Sequence, residues 1–122
     1  MGTNICDKPK TKRSSTKQET DDLIREMEII GKILSERWKT KIFLEVYKMA
    51  IKNPKICLSG YSLAHLTKKS FSTVYNFLHE MEREGIFEFL DEVNNIRKVR
   101  ITKYGQEIYE KIKNIIPQSM SF

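Results

Sequence analysis

Ser70-Phe71-Ser72-Thr73-Val74-Tyr75-Asn76-Phe77-Leu78-His79-Glu80-Met81-Glu82-Arg83-Glu84-Gly85 is the stretch on which the fold turns. Val74, Leu78 and Met81 recur at i, i+4 and i+7 with Phe77 beside them, which marks the apolar side of a helix. Ser70 suits the cap, because its hydroxyl oxygen can accept from a free amide of the first turn. Gly85 suits the end, because glycine tolerates left-handed backbone. The other side shows Ser72, Thr73, Asn76 and His79, with Tyr75 on its flank. That side is short, polar and hydrogen-bonding, and it carries no acid before Glu80.

Upstream, Ser59 can cap a short helix through Leu63, Ala64 and Leu66, and Thr67-Lys68-Lys69 makes a polar turn. Two short helices therefore brace one another across a tight connection. Ile56-Cys57-Leu58 reads as a brief strand before them. Downstream the period changes to two. Phe87 and Phe89 alternate with Glu88 and Leu90, and Val99 and Ile101 alternate with Lys98 and Arg100. Asp91 to Asn95 forms the tip between them, with Asn94-Asn95 suited to positive φ, so the pair reads as a β-hairpin. Thr102 caps a last helix carrying Tyr104, Ile108, Ile112 and Ile115, expected to end before Pro117.

Two more helices precede the central motif. One is expected from Thr20, with an apolar stripe at Leu23, Met27, Ile30 and Leu34 that fits either the chain's own core or a second copy. The next is expected from Thr40 to Lys52, with Ile42, Phe43, Val46, Tyr47, Ala50 and Ile51 on its apolar face and Pro54 as its stop. Nothing between Glu36 and Lys41 is a strong breaker, so the junction near Trp38 is open. The predicted fold is mainly α with a small β-hairpin (α+β): a winged helix-turn-helix with extra N-terminal and C-terminal helices. The predicted organisation is a disordered basic tail over residues 1–19, a domain over 20–116 and a short C-terminal tail over 117–122. The first tail holds Lys8, Lys10, Lys12, Arg13 and Lys17 with few apolar side chains, too few to offset its ordering entropy. It reads equally as a solubilising tail and as a basic arm along a phosphate backbone or minor groove.

A chain of 122 residues supports one modest core, and 22 Lys and Arg against 16 Asp and Glu leave a net charge of +6. That excess favours an acidic partner such as nucleic acid. The charges are segregated. Between Val46 and His79 lie Lys48, Lys52, Lys55, Lys68 and Lys69 with no acid, whereas Glu80 to Glu92 holds six acids and Arg83. The basic residues resume with Arg97, Lys98, Arg100 and Lys103. No run has the roughly 18 apolar residues of a membrane span, and the N-terminus does not read as a secretory signal. A cytoplasmic, nucleoid-associated protein is expected.

Cys6 and Cys57 have no Cys or His neighbour at metal spacing; Cys57 reads as a packing thiol, with an interchain disulfide as the alternative. His65 and His79 stand singly, and Glu80 with Glu84 reads as a solvated helix face. No Gly-rich phosphate loop, nucleophile triad or metal cluster is present, so neither an enzyme nor a cofactor or metal is expected.

Leu63-Ala64, Ser70-Phe71-Ser72-Thr73-Val74, then Leu78, Met81, Gly85 and Ile86 together resemble the helix-turn-helix of the MarR and PadR winged-helix regulators. Ile101-Thr102-Lys103-Tyr104-Gly105 with Ile108 resembles the segment after their wing, and the resemblance covers about half the chain. It implies a dimeric transcription regulator on double-stranded DNA, the helix from Ser70 to Glu84 in the major groove and the hairpin as wing. The positions matching the contact surface are Lys69, Ser70, Ser72, Thr73, Asn76 and either Arg97 or Lys98. Residue chemistry adds Lys68, Tyr75, His79 and Arg100, and the first and last helices are the expected homodimer elements. The chain departs from the pattern at Lys69, where an aliphatic residue is usual, at Phe71, expected to be exposed, and at the acidic tip, Asp91 and Glu92. Two rival readings share the fold: a structural or plasmid-partition DNA-binding protein, and a winged helix that binds only protein.

Overall fold

The computed structural model describes residues 3–52, 57–93 and 96–116, with side chains from residue 19 onward. The first helix, α1, spans Thr3–Leu34. Its backbone is thus already helical well before Thr20, where the sequence placed the start. Lys17, Gln18 and Glu19 are good helix formers, and the expected cap at Thr20 lies in mid-helix. Among the described side chains of α1, Ile29 and Ile33 are fully buried, while Ile30 and Leu34 are only half-buried. The expected stripe therefore splits, because Leu23 and Met27 remain exposed.

The second helix, α2, spans Arg37–Lys52 and starts three residues earlier than expected. The corner before it needs no Pro or Gly. Thr40 is buried, and its hydroxyl donates to the Ile33 carbonyl at 2.9 Å, while the Thr40 amide donates to the Glu36 carbonyl at 3.2 Å. One side chain thus satisfies the end of α1 and ties it to the start of α2. Ile42, Phe43, Leu44, Val46 and Tyr47 are buried, but Ile51 is exposed, contrary to its expected place on the apolar face. Ile56 and Pro54 lie outside the described residues.

Leu58–Ser59 form strand β1, followed by α3 over Gly60–Thr67 and α4 over Phe71–Arg83. The two predicted caps are present: Ser59 accepts from the Ser62 amide at 3.1 Å, and Ser70 from the Thr73 amide at 3.2 Å. Gly85 has φ +80° and the Ile86 amide donates back to the Met81 carbonyl at 2.9 Å, the glycine-terminated helix ending the sequence predicted.

Strands β2 (Phe87–Phe89) and β3 (Lys98–Ile101) pair antiparallel with Phe87 opposite Ile101 and Phe89 opposite Val99. β1 joins the other side of β3, so the sheet has three strands in the order β1-β3-β2. Thr102 then caps α5 (Lys103–Ile112), accepting from the Gly105 amide at 3.0 Å. α5 stops at Ile112, short of the expected end, and Ile115 is exposed beyond it. Asn94-Asn95 and Pro117 lie outside the described residues. Val74, Phe77, Leu78 and Met81 of α4 meet Ile29, Ile33, Phe43, Phe87, Val99, Ile108 and Ile112 in one core.

Candidate nucleic-acid interface

α4 has a buried side and an open side. Val74, Phe77, Leu78 and Met81 are buried, as their spacing predicts, and Ser72, Thr73, Asn76 and Arg83 are exposed on the remainder. Ser72, Asn76 and Arg83 fall at i, i+4 and i+11, which puts them on one stripe opposite the core. Arg83 was not among the expected contact residues, although that spacing could have found it. Ser70 and Thr73 are partly engaged with each other, since the Ser70 hydroxyl donates to Thr73 Oγ1 at 2.8 Å while accepting the Thr73 amide. The open chemistry of this face is therefore centred on Ser72 and Asn76.

The turn before α4 presents its lysines outward. Lys68 and Lys69 are both exposed. Lys68 has φ +59°, a left-handed conformation that caps α3. Lys69 replaces the usual aliphatic residue without being buried, and its Nζ lies 5.9 Å from the centre of the Trp38 ring.

Tyr75 lies off that stripe and His79, at i+7, lies on it, but both are half-buried. They turn toward the wing, within a run of ring contacts. Tyr61 stacks on Phe71 at 4.3 Å, Phe71 on Tyr75 at 5.1 Å, and Tyr75 meets His79 edge-on at 4.4 Å. His79 then lies 4.8 Å from Phe89, and the Arg97 guanidinium covers Phe89 at 4.9 Å. Phe71 is half-buried rather than exposed as expected. It packs over Gly60, where an added Cβ would lie 2.9 Å from Phe71 Cε1. Its faces and one face of Tyr75 are occupied by protein, which leaves little ring surface for base stacking.

Strand parity divides the basic residues of the hairpin. Val99 and Ile101 are buried, so Arg97 lies on the same side of β3 as the core, next to α4, while Lys98 and Arg100 point to the other side. Arg100 is moreover paired with Glu88 across the hairpin. The structure thus brings Lys68, Lys69, Ser70, Ser72, Thr73, Asn76 and Arg97 to one surface and sets Lys98 and Arg100 apart from it.

Two of the acids after His79, Glu80 and Glu84, face cations of α1, while Glu82 is exposed. Lys32 of α1 lies 2.7 Å from Glu84 and 3.8 Å from Glu80, and Arg25 lies 3.7 Å from Glu84. The hydrogen bond that Lys32 donates to Glu84, with the charges of Glu84 and Glu80, holds the Lys32 pKa above its ordinary value. Asp91 and Glu92 remain exposed at the hairpin tip.

His65 is exposed on α3 and Cys57 is half-buried beside β1; the Cys6 side chain lies outside the described residues. Among the described residues no group of three His, Cys, Asp or Glu could hold a metal ion. None of their helices is long and apolar enough to cross a membrane.

A three-stranded sheet packed behind a capped helix-turn-helix, with the β2–β3 hairpin beside the second helix, is the winged helix-turn-helix fold. Solved structures share it. AF1382 from Archaeoglobus fulgidus superimposes with a TM-score of 0.58 at 21% identity, over 70% of this chain and 90% of its own. MepR, a transcription regulator of the Staphylococcus aureus multidrug efflux pump MepA, matches with a TM-score of 0.52 at 14% identity, over 83% of this chain and 74% of its own. The MepR–DNA complex from the same organism gives a TM-score of 0.53 at 13% identity, over 84% of this chain and 82% of that one. No protein-family profile and no curated protein sequence matches this chain.

Proposed function

We propose that this chain binds duplex DNA as a homodimeric transcription regulator, with α4 in the major groove and the β2–β3 hairpin against the neighbouring backbone. The observation that carries the reading is the open stripe of α4. Ser72, Asn76 and Arg83 project together opposite the core, with Lys68 and Lys69 exposed at one end of the helix and Glu80 and Glu84 paired with Lys32 at the other. A major groove admits one helix, asparagine can bond adenine through two hydrogen bonds, and arginine can bond guanine likewise. MepR, which shares this fold, has been solved bound to DNA.

In this reading Arg97 contacts the backbone beside the groove, Tyr75 and His79 set the angle between hairpin and helix, and Lys98 and Arg100 serve the far side of the hairpin. Residues 20–116 are the working unit, and residues 3–19 extend α1 ahead of it as a basic segment, not as the disordered tail expected from their composition. The protein acts by binding rather than catalysis, in the cytoplasm on the nucleoid.

Binding to mixed-sequence and genomic duplexes between about 50 and 200 mM salt tests the reading. Affinity should fall steeply with salt, and a footprint should be bounded and two-fold symmetric. Lys68→Glu with Lys69→Glu should weaken binding to every sequence, and Asn76→Ala should cost about 1–3 kcal/mol at one base position. Negligible, salt-independent binding throughout would remove DNA from consideration.

A further inference from the structure

We infer that the α1–α2 corner, built around Trp38, is a second phosphate-gripping surface, which holds the DNA backbone next to the groove that α4 enters. The inference rests on the DNA reading above and extends the interface to residues on a different helix. Arg37 and Lys41 lie four residues apart at the start of α2, on one side of the helix, and both are exposed. Across from them stand Lys68 and Lys69 of the turn before α4, and the groove between, of about 570 Å³, is lined by all four cations. Among the described residues Arg37, Lys41 and Lys68 have no ion-pair partner, so their charge is uncommitted.

The one acid of that groove, Glu36, is already engaged. It accepts from Trp38 Nε1 at 3.0 Å and lies 3.7 Å from Lys39 Nζ. Trp38 meets Phe77 of the core edge-on at 5.6 Å, which fixes the ring, and Lys39 and Lys69 lie within 6 Å of its centre. The corner is also continuous with the open face of α4. A second groove, of about 380 Å³, has Glu36, Trp38 and Lys39 on one wall and Thr73, Asn76, Glu80 and Arg83 on the other, its two acids facing Lys39 and Lys32. A strip of four cations with its acid neutralised, beside a helix face suited to base edges, matches a duplex, which carries one phosphate per ~1.7 Å of axis.

The test uses the full chain, a mixed-sequence duplex and a single strand of equal length, with affinity measured from about 50 to 200 mM salt. Arg37→Gln with Lys41→Gln should lower duplex affinity about tenfold at low salt and flatten the log–log salt dependence by ~1.8, the loss of two phosphate contacts. Arg37→Lys with Lys41→Arg should restore both, and a melt should show every variant folded. Affinity within about twofold of the parent and an unchanged slope, while Lys68→Glu with Lys69→Glu still weakens binding, would overturn the corner and leave the DNA reading standing. A loss confined to the single strand would overturn it as well. If the parent binds no duplex at any salt, both readings fall together.

Discussion

Lys32 Nζ of α1 lies 2.7 Å from Glu84 Oε2 at the end of α4, and Glu80 approaches the same ammonium at 3.8 Å. The helix that carries the open face is thus fastened at its acidic end to the longest helix of the fold. This contact also changes the meaning of the acids. In the sequence they limit how far α4 can approach phosphate, whereas in the fold two of them are neutralised by α1.

Lys32→Met should therefore act twice. It leaves Glu80 without its cation and Glu84 with Arg25 alone, and because both partners are partly exposed the cost is about 0.5–1 kcal/mol in denaturant unfolding. It should also weaken DNA binding by restoring free negative charge beside the open face. The stability difference has a pH signature. The pKa of Lys32 is raised in the folded state, so its contribution is complete below the ordinary value of 10.5 and is lost as pH rises through the raised one. Parent and variant should differ by a constant amount from neutral pH to about 10 and converge above that. A gap that stays constant to higher pH would show that the ion pair is not its source.

Gly105 shows where the sequence is less forgiving than it looks. A Cβ there would sit 2.5 Å from the Ile86 carbonyl oxygen and 2.5 Å from Ile101 Cγ1. The carbonyl belongs to backbone that the Thr102 amide and hydroxyl already hold, at 2.9 and 3.0 Å, so it cannot retreat cheaply. Gly105→Ala should destabilise by about 1–3 kcal/mol, the usual cost of overpacking, visible as a lower thermal midpoint. An unchanged midpoint would mean that α5 slides freely on β3.

Lys68 combines a backbone cost with a useful charge. At φ +59° it occupies a conformation that disfavours a side chain by about 1 kcal/mol, and a glycine there would be relaxed. Lys68→Gly should stabilise the domain by up to about 1 kcal/mol while lowering affinity for duplexes of every sequence. Chemical denaturation and binding, measured on the same preparation, should move in opposite directions. If both improve, Lys68 takes no part in the interface.

The motif, its caps and its hairpin were legible because each depends on neighbours in sequence. Ser59, Ser70, Gly85 and Thr102 bond within a few residues of themselves, and Val74, Leu78 and Met81 declare their side by spacing. What escaped depends on distant partners. The corner at Glu36 is closed by Thr40 reaching back to Ile33, which no breaker announces. Phe71 looks exposed until Tyr61, Tyr75 and the bare backbone of Gly60 surround it. Arg97 and Lys98 differ by one residue, and strand parity alone puts the first beside α4 and the second behind the hairpin. The acidic run could not be judged without knowing that Lys32 and Arg25 lie over it.

The apolar residues left outside are the basis of the last expectation. Leu23, Ile24 and Met27 of α1 are 57%, 51% and 63% exposed, and Ile115 after α5 is 62% exposed. Lys111 of α5 pairs with Glu26 between them, so the first and last helices lie side by side here. A single exposed leucine needs no partner, but four large apolar side chains on adjoining segments favour burial in a second copy. Leu23→Glu with Met27→Glu should shift the protein to monomer in sedimentation at micromolar concentration. The monomer should keep its melting transition, because Ile29 and Ile33 and not these residues fill the core. It should lose most of its affinity for a two-fold symmetric site while keeping the weak, salt-sensitive affinity of a single α4. If the variant sediments like the parent, the dimer uses another surface; if the parent is itself monomeric, each copy must read its half-site alone.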